Sequence, residues 1–151
     1  MLLSLDEVEE KEIAWLVPGY LPRGQVCIMA GDGGAGKTSC WCSLAAAIST
    51  GNKVFFDQAP DEFAKTTPEK VLFFSSEDSV EYVLRARLRK AGANLKNICC
   101  ANLKNERFSE IKFNSSLLKK LISEVKPALV IFDPVQSFIP DGTNMYKRNE
   151  M

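Results

Sequence analysis

The chain has 151 residues, which suffices for one folded domain, and 46% of them are apolar, as in globular proteins with a core. Nineteen Lys and Arg residues balance nineteen Asp and Glu residues, so the net charge points to neither a nucleic acid nor a membrane partner, although a local patch can hide in a neutral total. The acidic N-terminus is unlike a signal peptide, and no apolar run approaches the ~20 residues that cross a bilayer. We therefore expect a cytoplasmic protein without a membrane partner.

The N-terminal part contains a lead-in segment and then the first predicted elements. Residues 1–24 carry two prolines, which disfavour a long helix there. Residues 25–30 form a short apolar run between glycines and predict a buried strand, with which a core domain over residues 25–151 begins. Residues 37–50 then predict a helix that Gly51 ends.

The rest of the chain alternates apolar runs with segments of helical spacing. Two further helices are predicted, at residues 80–88 before Gly92 and at residues 117–125 before Pro127. Buried strands are predicted at residues 71–74 and 128–132, shorter strands at residues 54–56 and 98–101, and polar loops at residues 57–70 and 133–151. Apolar strands that alternate with helices indicate an α/β fold with a mostly parallel sheet, covered by helices on both faces.

The five cysteines are candidate metal ligands or candidate core residues. Their odd number and their spacing fit no zinc pattern, and the chain has no histidine to complete one. We expect free thiols that act as small apolar side chains in a reducing cytosol. These residues are Cys27, Cys40, Cys42, Cys99 and Cys100.

A glycine-rich segment precedes the first predicted helix and matches the spacing G-x-x-x-x-G-K-[ST], and the strand predicted before it argues against a chance match. Phosphate oxygens must meet several backbone N–H groups at close range, and side chains would block that approach. Lys37 would add a charge near the β- and γ-phosphates, the Thr38 hydroxyl would ligate Mg²⁺, and Asp32 is expected to point to solvent. The predicted nucleotide contacts are Gly31, Asp32, Gly33, Gly34, Ala35, Gly36, Lys37, Thr38 and Ser39.

Two carboxylates follow predicted strands and are candidates for the rest of a phosphoryl-transfer site. Asp133 closes an apolar run, at the edge where parallel sheets bind ligands, and would help to hold the metal. The alternative for Asp133 is a local Asx turn ahead of Pro134. Glu77 is the better candidate for a general base, because no acid directly follows Asp133. The alternative is that Glu77 and Asp78 lie in the first turn of the next helix and stabilise its dipole.

Four segments of the chain resemble the RecA-like ATPases, in the order in which that family has them. They are Trp-Leu-Val-Pro-Gly-Tyr-Leu-Pro-Arg-Gly at residues 15–24, the glycine-rich segment at 31–38, Phe-Ser-Ser-Glu-Asp at 74–78 and Val-Ile-Phe-Asp-Pro at 130–134. The likeness covers nearly the whole chain and is closest to the RepA-like branch of plasmids, phages and mobile elements. The glycine-rich loop is common to many families, whereas its combination with Ser-Ser-Glu-Asp is more specific. The resemblance implies a P-loop NTPase fold, which is a three-layer α/β/α sandwich.

The resemblance also implies an activity and the residues that perform it. The chain would be the ATPase subunit of a helicase-like motor of DNA replication or repair, with ATP and Mg²⁺ as cofactors. Lys37 and Thr38 would hold the phosphates and the metal, and Asp133 would support Mg²⁺. Glu77 would be the catalytic carboxylate that activates water, with Lys37 as its catalytic partner. Such subunits form hexameric rings on DNA, in which a neighbour supplies a cationic side chain to the transition state.

The family pattern continues beyond the residues of this sequence. In RecA-like sheets, the strand after the Asp133 segment lies between the two strands that carry the phosphate site, and no such strand follows before Met151. The C-terminal strands, the polar sensor and the DNA-binding loops are therefore expected to be missing. Because a sheet without its central strand exposes unpaired edges, we expect an N-terminal fragment that is unstable, self-associates or needs a complementing piece.

Other functions remain as alternatives. A GTPase needs the base-reading sequence N-K-x-D, but Val54 and Phe55 follow the pair Asn52-Lys53, so the acid is lacking. A small-molecule kinase is a second alternative, although the sequence has no arginine-rich lid segment. A third is an incomplete chain that binds nucleotide weakly or not at all. One predicted helix carries basic residues that indicate a solvated face more than a nucleic-acid site: Arg85, Arg87, Arg89 and Lys90.

Overall fold

The computed structural model describes residues 3–54, 66–101 and 106–143, in two compact units, Met1–Ala30 and Gly31–Met151. The amide of Tyr20 donates to the carbonyl of Val17 at 3.0 Å and closes the turn of a small hairpin in the first unit. The elements of this unit are a 3-10 helix at Leu5–Glu7 and the antiparallel strands β1 (Trp15–Val17) and β2 (Leu21–Pro22). The lead-in therefore contains no long helix among its described residues, as its prolines indicate.

Residues 25–30 form no strand, so the prediction of a buried strand there is wrong. All of them are exposed, with Val26 at 92% and Ile28 at 81% of full exposure. An apolar run becomes a strand only when its N–H and C=O groups find ladder partners, and no described strand pairs with this run. Apolar composition alone is insufficient to form a strand at this position.

The second unit is built on a parallel sheet of three described strands in the order β4-β3-β5. The strand registers pair Val71 with Ile98 and Ser75 with Asp133. Every residue of the central strand is buried, because both of its edges are paired and both of its faces are covered by helices. The strands are β3 (Val71–Ser75), β4 (Ile98–Cys100) and β5 (Leu129–Asp133), and they confirm three predicted strands to within a residue at each end.

The segment between α1 and β3 lies partly outside the described residues. The strand predicted at 54–56 is described only at Val54, which is buried but belongs to no strand. Residues 66–70 have no regular secondary structure, which confirms the predicted loop for this part of 57–70.

The first helix of the second unit, α1 (Lys37–Thr50), confirms the predicted helix, and Gly51 ends it with a φ of 71°. The amide of Asn52 donates to the carbonyl of Ala47 at 3.0 Å, which closes the last turn. A Cβ at Gly51 would collide with the carbonyl of Thr66, whose amide donates to the Gly51 carbonyl at 2.8 Å. Position 51 thus requires glycine both for its left-handed conformation and for its close neighbour.

The other two predicted helices are confirmed, although one begins with a turn that the spacing does not predict. A π-helix at Val80–Leu84 continues into α2 (Arg85–Lys90), and α3 spans Ser116–Val125. Ser79 and Ser115 cap these segments, since each hydroxyl accepts a hydrogen bond from the helix backbone. Short 3-10 helices complete the unit at Leu95–Asn97, Glu106–Glu110 and Val135–Phe138.

Different helices cover the two faces of the sheet. On one face, Trp41 of α1 packs on Phe73 of β3, with ring centroids 5.4 Å apart. On the other face, Leu118 of α3 belongs to the buried cluster that contains Leu72 and Phe74 of β3. Helix, sheet and helix therefore form the layers of a small α/β unit, because alternate residues of one strand face opposite sides.

The segment after β5 returns to the core, so the prediction of a loop there is wrong for Val135–Phe138. Phe138 is 1% exposed, and its ring centroid lies 5.2 Å from that of Phe132 and 6.0 Å from that of Phe74. One aromatic side chain in a polar segment can anchor it, because burying a large ring removes much apolar area from water. Residues 144–151 lie outside the described residues.

Candidate functional site

The glycine-rich segment forms an open loop that ends at the first residue of α1. Gly34 and Gly36 have φ values of 79° and 87°, a region that side-chain-bearing residues rarely adopt. The amide of Ala35 donates to the carbonyl of Asp32 at 3.2 Å, which makes a tight turn inside the loop. A Cβ built at Gly33, Gly34 or Gly36 would meet no atom within 4 Å. The loop therefore needs glycine for its backbone conformation and leaves space next to its amides.

Lys37 folds its side chain back over this loop. Its ammonium group donates to the carbonyl of Gly31 at 2.6 Å and to the carbonyl of Asp32 at 2.8 Å. The side chain of Asp32 is exposed, as predicted. The loop thus carries a full positive charge beside the N-terminus of a helix, which is a suitable environment for an anion.

Thr38 and Asp133 meet although they are 95 residues apart in sequence. Thr38 is the second residue of α1 and donates from Oγ1 to Asp133 Oδ2 at 3.4 Å, at the end of β5. Trp41 donates from its indole Nε1–H to the same oxygen at 2.8 Å. The carboxylate accepts no local backbone hydrogen bond from the residues that the structure describes, so the Asx-turn alternative for Asp133 is wrong.

Trp41 is a site residue that the motifs do not contain. It follows Thr38 by three residues, and side chains at that spacing share a helix face. Its indole carries a single donor that needs a partner when buried, and Trp41 is 5% exposed. A tryptophan one turn after the predicted metal-ligating threonine is therefore a signal in the sequence for a hydrogen-bond donor at this site.

Glu77 lies at the same edge of the sheet as Asp133, two residues beyond Ser75, which pairs with Asp133 in the register. Its side chain is exposed and makes no hydrogen bond or ion pair with any described residue. Glu77 and Asp78 precede the helix cap Ser79, so the alternative that they lie in the first helical turn is wrong. The structure therefore places Glu77 at the edge of the sheet that contains Asp133, but Glu77 makes no hydrogen bond or ion pair with Lys37 or Asp133.

The neighbours of Glu77 are fixed by hydrogen bonds. Asp78 accepts a hydrogen bond from Arg87 at 3.1 Å, in an ion pair between the bend and α2. The amide of Ser76 donates to the carbonyl of Asp133 at 3.1 Å, and its hydroxyl lies 2.7 Å from that of Ser137. Ser76 thereby ties the end of β3 to β5 just before Glu77, and Asp78 ties the bend to α2 just after it.

The oxygen atoms of Thr38 and Asp133 fit a magnesium ion that is bound together with phosphate. Mg²⁺ prefers hard oxygen ligands and is usually held through one or two carboxylates, substrate phosphates and water. Over the described residues, no group of three or more His, Cys, Asp or Glu side chains forms a closed metal cage. A site with these two protein oxygens, beside a loop suited to anions, matches a Mg²⁺ ion whose remaining ligands are phosphate and water.

All five cysteines are free thiols, but only Cys42 is buried. Cys27 and Cys100 are exposed, so the expectation that every cysteine packs as a small apolar side chain is wrong for these two. Burial on α1 raises the pKa of the Cys42 thiol to about 11, the nearby carboxylates of Asp133 and Asp78 add to the rise, and Arg87 opposes it. This thiol is therefore neutral at physiological pH and packs as an apolar group.

A parallel α/β sheet, a glycine loop that opens a helix, and a threonine–aspartate pair at the strand ends define a P-loop nucleotide-binding protein. Comparison with protein families agrees, because the profile described as an AAA domain matches residues 2–150. The chain belongs to this family of P-loop ATPases, whose members generally bind ATP with Mg²⁺. Searches of curated proteins and of solved structures gave no match. No described helix is both long and apolar enough to span a bilayer.

Proposed function

We propose that this chain forms the Mg²⁺-dependent, ATP-hydrolysing core of a helicase-like motor of DNA replication or repair, of the RepA-like type within the RecA-like ATPases. The observation that carries the proposal is the convergence of Thr38 and Asp133 beside a loop that Lys37 charges. Residues so distant in sequence meet here with the chemistry that a phosphate-bound metal requires. The proposed core spans residues 25–151 and follows a lead-in at 1–24.

Each residue of the loop has a role in this proposal. The amides of residues 31–36 and the N-terminus of α1 would bind the phosphates of ATP, and Ser39 would also contact the nucleotide. Lys37 would leave its two carbonyl partners and donate to the phosphate oxygens. Thr38 and Asp133 would hold Mg²⁺, which neutralises charge that develops on the phosphates.

Glu77 would activate the attacking water as a general base. Its exposed carboxylate emerges at the carboxyl edge of the sheet, one strand away from Asp133. A base of this kind must come within hydrogen-bond reach of water beside the γ-phosphate, which often happens only in the substrate complex. The freedom of the Glu77 side chain is compatible with that movement.

Assembly is the second part of the proposal. Among the described strands, none pairs with the edge of β5 that faces away from β3. An unpaired parallel edge of apolar residues favours addition of another strand, so the motor would complete its sheet here with a further chain segment. The hexameric ring and the DNA substrate are proposed from the RecA-like resemblance alone. We do not assign the DNA contact to α2, because its basic residues form an exposed face and Arg87 is already paired with Asp78.

ATP binding without hydrolysis is a second candidate function. The observation that favours it is that Glu77 makes no hydrogen bond or ion pair with any described site residue. Without a positioned base, nucleotide would bind but turnover would be slow. Measuring binding and hydrolysis on the same sample separates the two candidates, since only the first predicts phosphate release.

Nucleotide titration of the wild-type chain and of Lys37→Ala tests the proposal. Wild type should bind ATP with Mg²⁺ and prefer it to GTP, and Lys37→Ala should lose most or all binding because the loop loses its charge. Lys96→Ala is a matched control, since Lys96 is an exposed lysine on the 3-10 helix Leu95–Asn97. Equal ATP binding by wild type and Lys37→Ala, or no binding by folded wild type, would refute the nucleotide site.

A further inference from the structure

Trp41 contacts the carboxylate of Asp133 from the second turn of α1. Its indole Nε1–H donates to Oδ2 at 2.8 Å, whereas the hydrogen bond from Thr38 Oγ1 to the same oxygen measures 3.4 Å. A hydrogen bond to an ionised carboxylate is about twice as strong as one between neutral groups. Trp41 is therefore the closer of the two donors that hold this oxygen.

The indole ring is held in place independently of Asp133. It is almost fully buried, and it packs against Phe73 of the central strand with the ring planes tilted by 37°. An indole has one N–H donor and no acceptor, so the buried ring must face an acceptor to satisfy its polar atom. A rigid donor thus sets the orientation of a carboxylate at the end of the neighbouring strand.

The second carboxylate oxygen remains available to other partners. Over the ranges that the structure describes, no side chain or amide donates to Asp133 Oδ1. Mg²⁺ demands near-ideal octahedral geometry, so a carboxylate in the wrong orientation binds it poorly. Holding Asp133 through Oδ2 presents Oδ1 in one direction.

We propose that Trp41 is a positioning residue for the metal: it holds Asp133 through Oδ2, so that the carboxylate meets the ligand shell of Mg²⁺ in one orientation. This inference rests on the proposed function, in which Asp133 supports Mg²⁺. Loss of a group that orients a metal ligand typically lowers metal affinity by about 10–100-fold. Removal of the indole N–H should have an effect in that range, with little effect on nucleotide binding without metal.

Trp41→Phe tests the proposal, because phenylalanine keeps a ring on Phe73 and lacks the donor. Binding of a fluorescent ATP analogue is titrated with Mg²⁺ and is also measured in EDTA. The Mg²⁺ midpoint should rise by about 10–100-fold, and the affinity in EDTA should stay unchanged. Trp15→Phe, which removes the other tryptophan of the chain, should leave both values unchanged.

Two results of this titration have different meanings. An unchanged Mg²⁺ midpoint in Trp41→Phe, with normal binding by wild type, overturns the role of Trp41 alone. Failure of folded wild type to bind the analogue with Mg²⁺ overturns the proposed function, and the role of Trp41 falls with it.

A spectroscopic measurement decides the question even if Trp41→Phe fails to fold. The Trp15→Phe variant contains Trp41 as its single tryptophan. A cation that arrives at Asp133 changes the electric field on the hydrogen-bonded indole, so emission should change when Mg²⁺ joins ATP. ATP in EDTA should produce no such change. If Trp41 emission does not change on addition of Mg²⁺ although the analogue binds, the proposal is overturned.

Discussion

Raising the pH above 9 should destabilise this protein through the thiol of Cys42. Cys42 is 1% exposed on α1, and burial raises the pKa of its thiol from 9.0 to about 11. That difference corresponds to at most about 2–3 kcal/mol of folding free energy, since one pKa unit is worth about 1.4 kcal/mol.

The sign of the effect follows from which state of the chain, folded or unfolded, loses the thiol proton at the lower pH. Below pH 9 the thiol is protonated in both the folded and the unfolded chain, and its contribution to stability is complete. Between pH 9 and about 11 the unfolded chain ionises while the folded chain keeps its proton, so the free energy of unfolding falls as the pH rises.

Urea unfolding of wild type and of Cys42→Ala, measured at intervals from about pH 8 to about pH 11, tests this linkage. Other groups titrate in both proteins, so the difference between the two curves isolates Cys42. Wild type should lose up to about 2 kcal/mol relative to Cys42→Ala across that range, since the folded thiol also begins to ionise near its upper end. Parallel curves would mean that the thiol is not desolvated in the folded chain, and the packing described for α1 would then be wrong.

Two further predictions concern Glu77 and Gly51. Glu77→Gln should keep ATP binding and slow hydrolysis by roughly 10²–10⁴-fold, the usual worth of a general base, in parallel binding and phosphate-release assays. Normal hydrolysis by this variant would remove Glu77 from the mechanism. Gly51→Ala should cost more than about 2 kcal/mol in urea unfolding, because the left-handed conformation alone costs about 1–2 kcal/mol and the new Cβ meets the Thr66 carbonyl. Gly92→Ala is the control, since Gly92 has a φ of 83° but open space around it, and equal losses would contradict the steric cause.

Local patterns predict the elements whose stability depends on local properties. The buried strand β3 is apolar from its first residue to Phe74, and α1 lies between a glycine-rich loop and Gly51. Both could therefore be located from composition and from the glycines that bound the helix. Residues 25–30 are also mainly apolar but form no strand, because a strand also requires a partner among its neighbours. Phe138 shows the reverse case, since its burial depends on rings that come from other segments.

The candidate site also has one part that follows from local sequence and another that depends on contacts between distant segments. The sequence by itself located the glycine-rich loop that we propose binds phosphate, since its glycines, Lys37 and Thr38 are contiguous and their chemistry follows from backbone freedom and charge. Only the tertiary structure decided that Asp133 faces Thr38 and Trp41 rather than its own backbone, and that Glu77 stands outside the helix. The physical reason is that contacts between distant segments depend on strand register and helix packing, which local periodicity does not encode.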